Sequence, residues 1–152
     1  MRKKIFKSMC LTALLTILLS SLLITVVYYG DFESRMKSEV RAETDYIKSA
    51  VELSGAGYLS GLPDSQNRVT LIDETGRVLY DSYADPSTME NHRDRPEVQK
   101  AQTGGAGEDT RTSDTLSKQT FYYAVKLADG QVLRVASTTD TVLAAILGLL
   151  PW

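Results

Sequence analysis

The chain has 152 residues, 24% of them charged, and a formal net charge of −2 at pH 7. All 19 acidic residues lie beyond Gly30, whereas four of the 17 basic ones (Arg2, Lys3, Lys4 and Lys7) precede it; an acidic body with no basic stripe among aromatics argues against a nucleic-acid partner. Cys10 is the only cysteine, so no internal disulfide can form, and the 110 residues of 31–140, between the two apolar ends, have room for one small domain.

Residues 9–29 carry no charge and are mostly Leu, Ile, Val, Ala and Met. At about 1.5 Å per residue a helix of that length is roughly 30 Å long, which matches a bilayer's hydrocarbon core. The basic cluster ahead of it, with Asp31 and Glu33 behind it, predicts a transmembrane helix with residues 1–8 in the cytoplasm and 31–140 outside the plasma membrane. Tyr28 and Tyr29 fall where interfacial aromatics are expected. A cleaved secretory signal also begins with basic residues, but its apolar core runs about 7 to 15 residues and ends at a small-residue site. This run is longer and ends in Val26, Val27, Tyr28 and Tyr29, so an uncleaved anchor is the better reading. Cys10, at the start of the run, reads as a small apolar side chain at the membrane edge.

At the other end, residues 141–152 are uncharged and mostly apolar. As a helix they would cover only about 18 Å, too little to cross a bilayer, so they read as the start of a second span that is cut off. The alternative is a short C-terminal helix packed on the domain or lying in the interface.

Between these ends, residues 31–53 lack Pro and Gly, and the first helix is expected to run on through them. Met36, Val40, Ile47 and Ala50 fall on one stripe, interrupted by Glu43, with Tyr46 and Leu53 on a second. One stripe can pack on a sheet while the other meets the same helix of a second subunit; cysteines on the Met36, Val40 and Ile47 stripe would report such a dimer. Gly55 and Gly57 end the helix, and 61–67 reads as a loop. Two hairpins follow, 68–73 with 77–82 and 120–127 with 131–137, each joined by a short connector containing an acidic residue and glycine. Residues 107–113 form a polar strand near an edge, and Pro96 opens a short helix over 96–102 with Glu97 at its positive end. Phe121, Tyr123, Val125 and Leu127 alternate with Tyr122, Ala124 and Lys126, which suits a sheet covered on one side. The order is α+β, with a roughly five-stranded antiparallel sheet.

Several stretches together resemble a known group. They are Leu71, Ile72 and Asp73 through Gly76 to Leu79, Tyr80, Asp81 and Ser82; Asn91 and His92 ahead of Arg95, Pro96, Glu97 and Val98; Arg111, Ser113, Thr115 and Leu116; and Phe121, Tyr122, Tyr123 and Ala124. The combination resembles the outer sensor region of bacterial membrane sensor histidine kinases, nearest to the phosphate-regulon type and its relatives in Gram-positive bacteria. The resemblance implies a PAS or single-Cache fold between two spans, and a role in receiving signals for a two-component system. It further implies a linker module, a phosphoacceptor hairpin and an ATP-binding domain in a C-terminal part beyond these residues. ATP and Mg belong there, as does the response regulator that takes the phosphoryl group, and no cofactor is expected in this chain. His92, in an outer loop that ATP cannot reach, is not the phosphoacceptor. No phosphate-cradling loop, Cys and His cluster or activated Ser stands out, so neither a catalytic nor a metal site is expected.

A sensor needs a cavity with convergent polar groups. His92, Arg95 and Arg111 lie near the irregular segment, and Tyr122 is on a strand that faces it in a PAS-like arrangement; these four are the candidate ligand-binding residues for a small-molecule or protein signal. Each also has a plain structural reading: Arg95 could pair with a neighbouring carboxylate, Arg111 could be a solvated edge residue, and Tyr122 could be core. An outer imidazole could also sense acidity. Two other outputs fit the same residues, a chemoreceptor or cyclic-nucleotide sensor and a stand-alone anchored interaction protein.

Overall fold

The computed structural model describes residues 2–62, 67–113 and 118–140. The expected second span at 141–152 and much of the 61–67 loop lie outside them, as do Thr115 and Leu116. The chain divides into two units, residues 1–35 and residues 36–152. One helix, α1 (Arg2–Ser54), contributes to both.

In the first unit the apolar helix has a mean hydropathy of 2.5 over its best 18-residue window, with none of that window buried, and is long enough to cross a membrane. Its three threonine hydroxyls are bonded within the helix. Thr12, Thr16 and Thr25 donate to the carbonyls of Ser8, Thr12 and Ser21 one turn back, at 2.7, 2.9 and 2.9 Å, which satisfies them without water.

In the second unit α1 buries Val40, Thr44, Ile47 and Val51, with Met36 packed alongside. The buried stripe thus contains Thr44 and Val51 where the periodicity points to Ala50. Thr44 is tolerated there because its hydroxyl donates to the Val40 carbonyl at 2.6 Å. Tyr46 and Leu53 stay exposed on the other stripe. Gly55, at φ +80°, closes the helix with its N–H on the Val51 carbonyl, a left-handed position that glycine takes without penalty. A 3-10 turn, Ala56–Gly61, follows and buries Leu59.

Five strands form one antiparallel sheet: β1 (Arg68–Ile72), β2 (Val78–Asp81), β3 (Ala106–Ser113), β4 (Lys118–Lys126) and β5 (Val132–Asp140), in the order β2-β1-β5-β4-β3. The expected strands are all present, and the polar β3 is an edge. In the β1–β2 turn Asp73 Oδ1 accepts from the Thr75 N–H, the Thr75 hydroxyl and the Arg77 N–H. The Thr75 hydroxyl first, and the backbone donors with it, hold the Asp73 carboxyl below its ordinary pKa of 3.8.

Both faces of the sheet are covered, not one. On the first, Val69, Leu71, Phe121, Val125, Leu133 and Val135 pack with Leu59 and the α1 stripe. On the second, Ile72, Ala124 and Val132 pack with Val98 and Ala101 of α2 (Pro96–Gly104). Small side chains on the second face conceal this cover in the sequence. α2 comes close because Gly107 of β3 has no side chain: a Cβ there would press on the Glu97 carbonyl and lie 2.5 Å from Lys100 Cβ and 2.9 Å from the Ala101 nitrogen. Gly107→Ala is therefore expected to destabilise by about 1–3 kcal/mol through overpacking against helix backbone, read as a lower urea midpoint at unchanged slope. An unaltered midpoint would mean that α2 gives way freely.

Candidate functional site

The second face of the sheet carries a polar cluster beside that small apolar patch. Antiparallel register sets Thr70 of β1 opposite both Asp81 of β2 and Arg134 of β5, and Asp109 of β3 opposite Tyr122 of β4. Alternation turns all five toward the α2 side. From above, α2 lowers Glu97 onto them.

Glu97 is fully buried. One of its oxygens accepts from Arg134 Nη1 at 3.3 Å, and the other accepts from Arg111 Nη2. Arg111 also donates through Nε to Asp109 at 2.8 Å. The Tyr122 ring lies among these charges, 4.2 Å from the Arg111 guanidinium and 5.4 Å from that of Arg134, a cation–π arrangement. Arg134 Nη2 donates to the Thr70 hydroxyl at 3.2 Å, which donates on to Asp81 at 2.8 Å. Asp81 further accepts from Arg68 Nε at 2.9 Å and from the Tyr83 and Ala84 N–H groups. The result is a connected network of three guanidinium and three carboxylate groups.

Burial pushes the Asp81 carboxyl up, but the Tyr83 N–H, Arg68 and Thr70 outweigh it and hold its pKa below 3.8. Burial also works against the charge on Arg134 and exceeds the pull of Glu97, so that guanidinium titrates below its ordinary value. At the more open Arg111 burial is outweighed by Asp109 and Glu97, and the pKa is raised. Arginine stays charged throughout any ordinary pH range.

Of the four residues singled out in the sequence, Arg111 and Tyr122 stand together in this cluster. His92 is buried at its border, in the segment ahead of α2, with Nδ1 lacking a hydrogen-bond partner among the described residues. Burial first, then Arg134 and Arg95, lower its pKa from 6.5. Arg95 stays at the rim, with a half-exposed side chain 3.9 Å from Glu90. Glu97, Arg134, Thr70, Asp81 and Arg68 were not singled out. The signal for Arg134 was present: a charged residue alone in the apolar run of Val132, Leu133, Val135 and Ala136. Glu97 could be taken for an ordinary residue of a helix's first turn.

Around the β1–β2 turn and α2 lies an open groove of about 460 Å³ with Glu74, Arg93, Asp94, Gln99 and Gln102 in its walls. It adjoins the segment of His92 but contains none of the four sequence candidates. The cluster itself offers charge, hydrogen bonding and an aromatic face.

Comparison with known proteins matches residues 64–133 to the model of the Single Cache-like family. Among solved structures, the chain is similar to the extracellular domain of rpHK1S-Z16, a protein named as a histidine kinase, at 18% identity and a TM-score of 0.42. That match covers 61% of this chain and 39% of the other, so this chain spans well under half its length. No curated protein matches. The fold is thus α+β, a long apolar helix leading into a five-stranded antiparallel sheet in a Cache-like domain.

Proposed function

We propose that the chain is the signal-receiving portion of a two-component histidine kinase of the phosphate-regulon type, anchored in the plasma membrane with its N-terminus in the cytoplasm and the Cache-like domain outside. The observation that carries this reading is α1. One helix supplies both a membrane-length apolar segment and the Val40, Ile47 and Val51 stripe of the domain's core. A ligand that favours one arrangement of the domain shifts the population by its differential affinity, and the helix takes the change to the membrane. The polar face with Arg111, Tyr122 and His92, rimmed by Arg95, is where the signal would be received. A kinase core beyond these residues would bind ATP and Mg and pass its phosphoryl group to a response regulator.

The test is phosphotransfer by the native membrane product. A polypeptide several hundred residues long that takes acid-labile phosphate from ATP supports the proposal; a product of 16.8 kDa that takes none overturns it.

The same reading includes a homodimer through α1. Val40 and Ile47 are occupied in the monomer core, which leaves Tyr46 and Leu53, 70% and 88% exposed, as the partner-facing stripe. In a Cys10→Ser background, Tyr46→Cys and Leu53→Cys are expected to cross-link across the dimer in membranes, and Ile47→Cys is not. Absence of cross-links at both exposed positions would rule out this seam.

A further inference from the structure

The segment between the 3-10 turn Pro86–Thr88 and α2 is stitched to the β1–β2 turn. The His92 N–H donates to the Gly76 carbonyl at 2.7 Å, Asn91 Nδ2 donates to the Thr75 carbonyl at 3.0 Å, and Asn91 Oδ1 accepts the Arg93 N–H at 2.8 Å. The fit leaves no spare volume: a Cβ on Gly76 would meet Asn91 Oδ1 and lie 2.5 Å from the Arg93 nitrogen. Into this seam the segment folds the chain's only histidine, 8% exposed, with Nδ1 buried and without a hydrogen-bond partner among the described residues.

Three cations act on the ring, from three directions: Arg134 on β5, Arg95 on the segment itself and Arg68 on β1. The Glu90 carbonyl is the opposing influence. The nearby carboxylates are engaged elsewhere, Asp81 by Arg68 and Thr70, and Glu97 by Arg134 and Arg111.

We propose that this segment is an acid-released clasp over the polar face. Protonation of His92 sets a positive charge, with that of Arg95 beside it on the segment, against Arg68 and Arg134 of the sheet, and lifting the segment off the β1–β2 turn takes it away from those two. The inference rests on the sensor reading for its physiological meaning alone. The sign follows from linkage. In the closed seam the imidazole's pKa is lowered, while in the lifted or unfolded segment it returns to about 6.5. The open form therefore binds the proton more tightly. The closed form has its full advantage above about pH 6.5 and loses it as pH falls from there through the depressed value.

The test is an NMR titration of the full chain in phospholipid nanodiscs with ring-labelled histidine, in which a single histidine gives a single ring signal. The ring midpoint is expected below that of the urea-unfolded chain, and the Gly76 and Arg93 amide signals are expected to move with it. In His92→Gln those amide movements should vanish. A ring that titrates like the unfolded chain overturns the clasp, as do unmoving Gly76 and Arg93 signals or movements that persist in His92→Gln. Phosphotransfer enters none of these outcomes, so the clasp and the sensor reading can fail separately.

Discussion

Glu97→Ala is expected to cost about 3–5 kcal/mol of folding stability, the usual result of stripping one partner from a buried ion pair. The loss falls mainly on Arg134. Its side chain is only 4% exposed, its Nε has no hydrogen-bond partner among the described residues, and without Glu97 its one remaining side-chain hydrogen bond among them would be to the Thr70 hydroxyl, beside the Tyr122 ring. Arg111 loses less, because it retains Asp109 and is nearly one-third exposed. Urea unfolding of the full chain in micelles, followed by tyrosine emission, would show the midpoint fall at unchanged slope. A loss below about 1 kcal/mol would mean that water reaches Arg134 and that the cluster is not closed. The companion double variant Glu97→Leu with Arg134→Met separates charge from packing. Removing both charges together is often neutral or stabilising, so it should recover most of the loss.

That network shows where the sequence was legible. The hairpins were readable because each turn is written in four or five consecutive residues, such as Asp73, Thr75, Gly76 and Arg77, whose bonds close locally. The long helix was readable because absence of charge is a local property too. Within α1 the stripe was read almost correctly, and Thr44 was missed because its hydroxyl is silenced by a carbonyl one turn back. Glu43, which seemed to interrupt the stripe, lies beside it and accepts from Asn67 Nδ2 at 2.6 Å. Arg134 and Glu97 are 37 residues apart in sequence. Only the strand order and the close approach of α2 at Gly107 bring them together, and neither is encoded locally. Arg111 and Tyr122 were picked out separately for their chemistry; their contact follows from the β3–β4 register.

Phe121→Ala is expected to be as costly as the loss of Glu97, about 3–5 kcal/mol, for an unrelated reason. The ring is 1% exposed in the cluster that joins β1, β4 and β5 to Val40, Ile47 and Val51 of α1, and truncation leaves a cavity that helix and sheet cannot both close. Lys37 Nζ and the Arg41 guanidinium lie 5.5 and 5.8 Å from its centroid, adding about 0.5–1 kcal/mol each at such partly exposed sites. Phe121→Leu keeps the apolar contact and should lose less. Phe121 and Tyr122 are consecutive on β4 and point to opposite faces, so a single strand touches both the α1 packing and the Glu97 cluster. If signals cross the sheet by this route, the milder pair Phe121→Leu and Glu97→Gln should be non-additive in unfolding by more than about 0.5 kcal/mol, the margin within which independent sites add. Additivity within that margin would make the two faces energetically separate, and the route from the polar face to the helix would then have to run around the sheet, through edge strand β3, where Glu108 meets Arg41 at 2.6 Å.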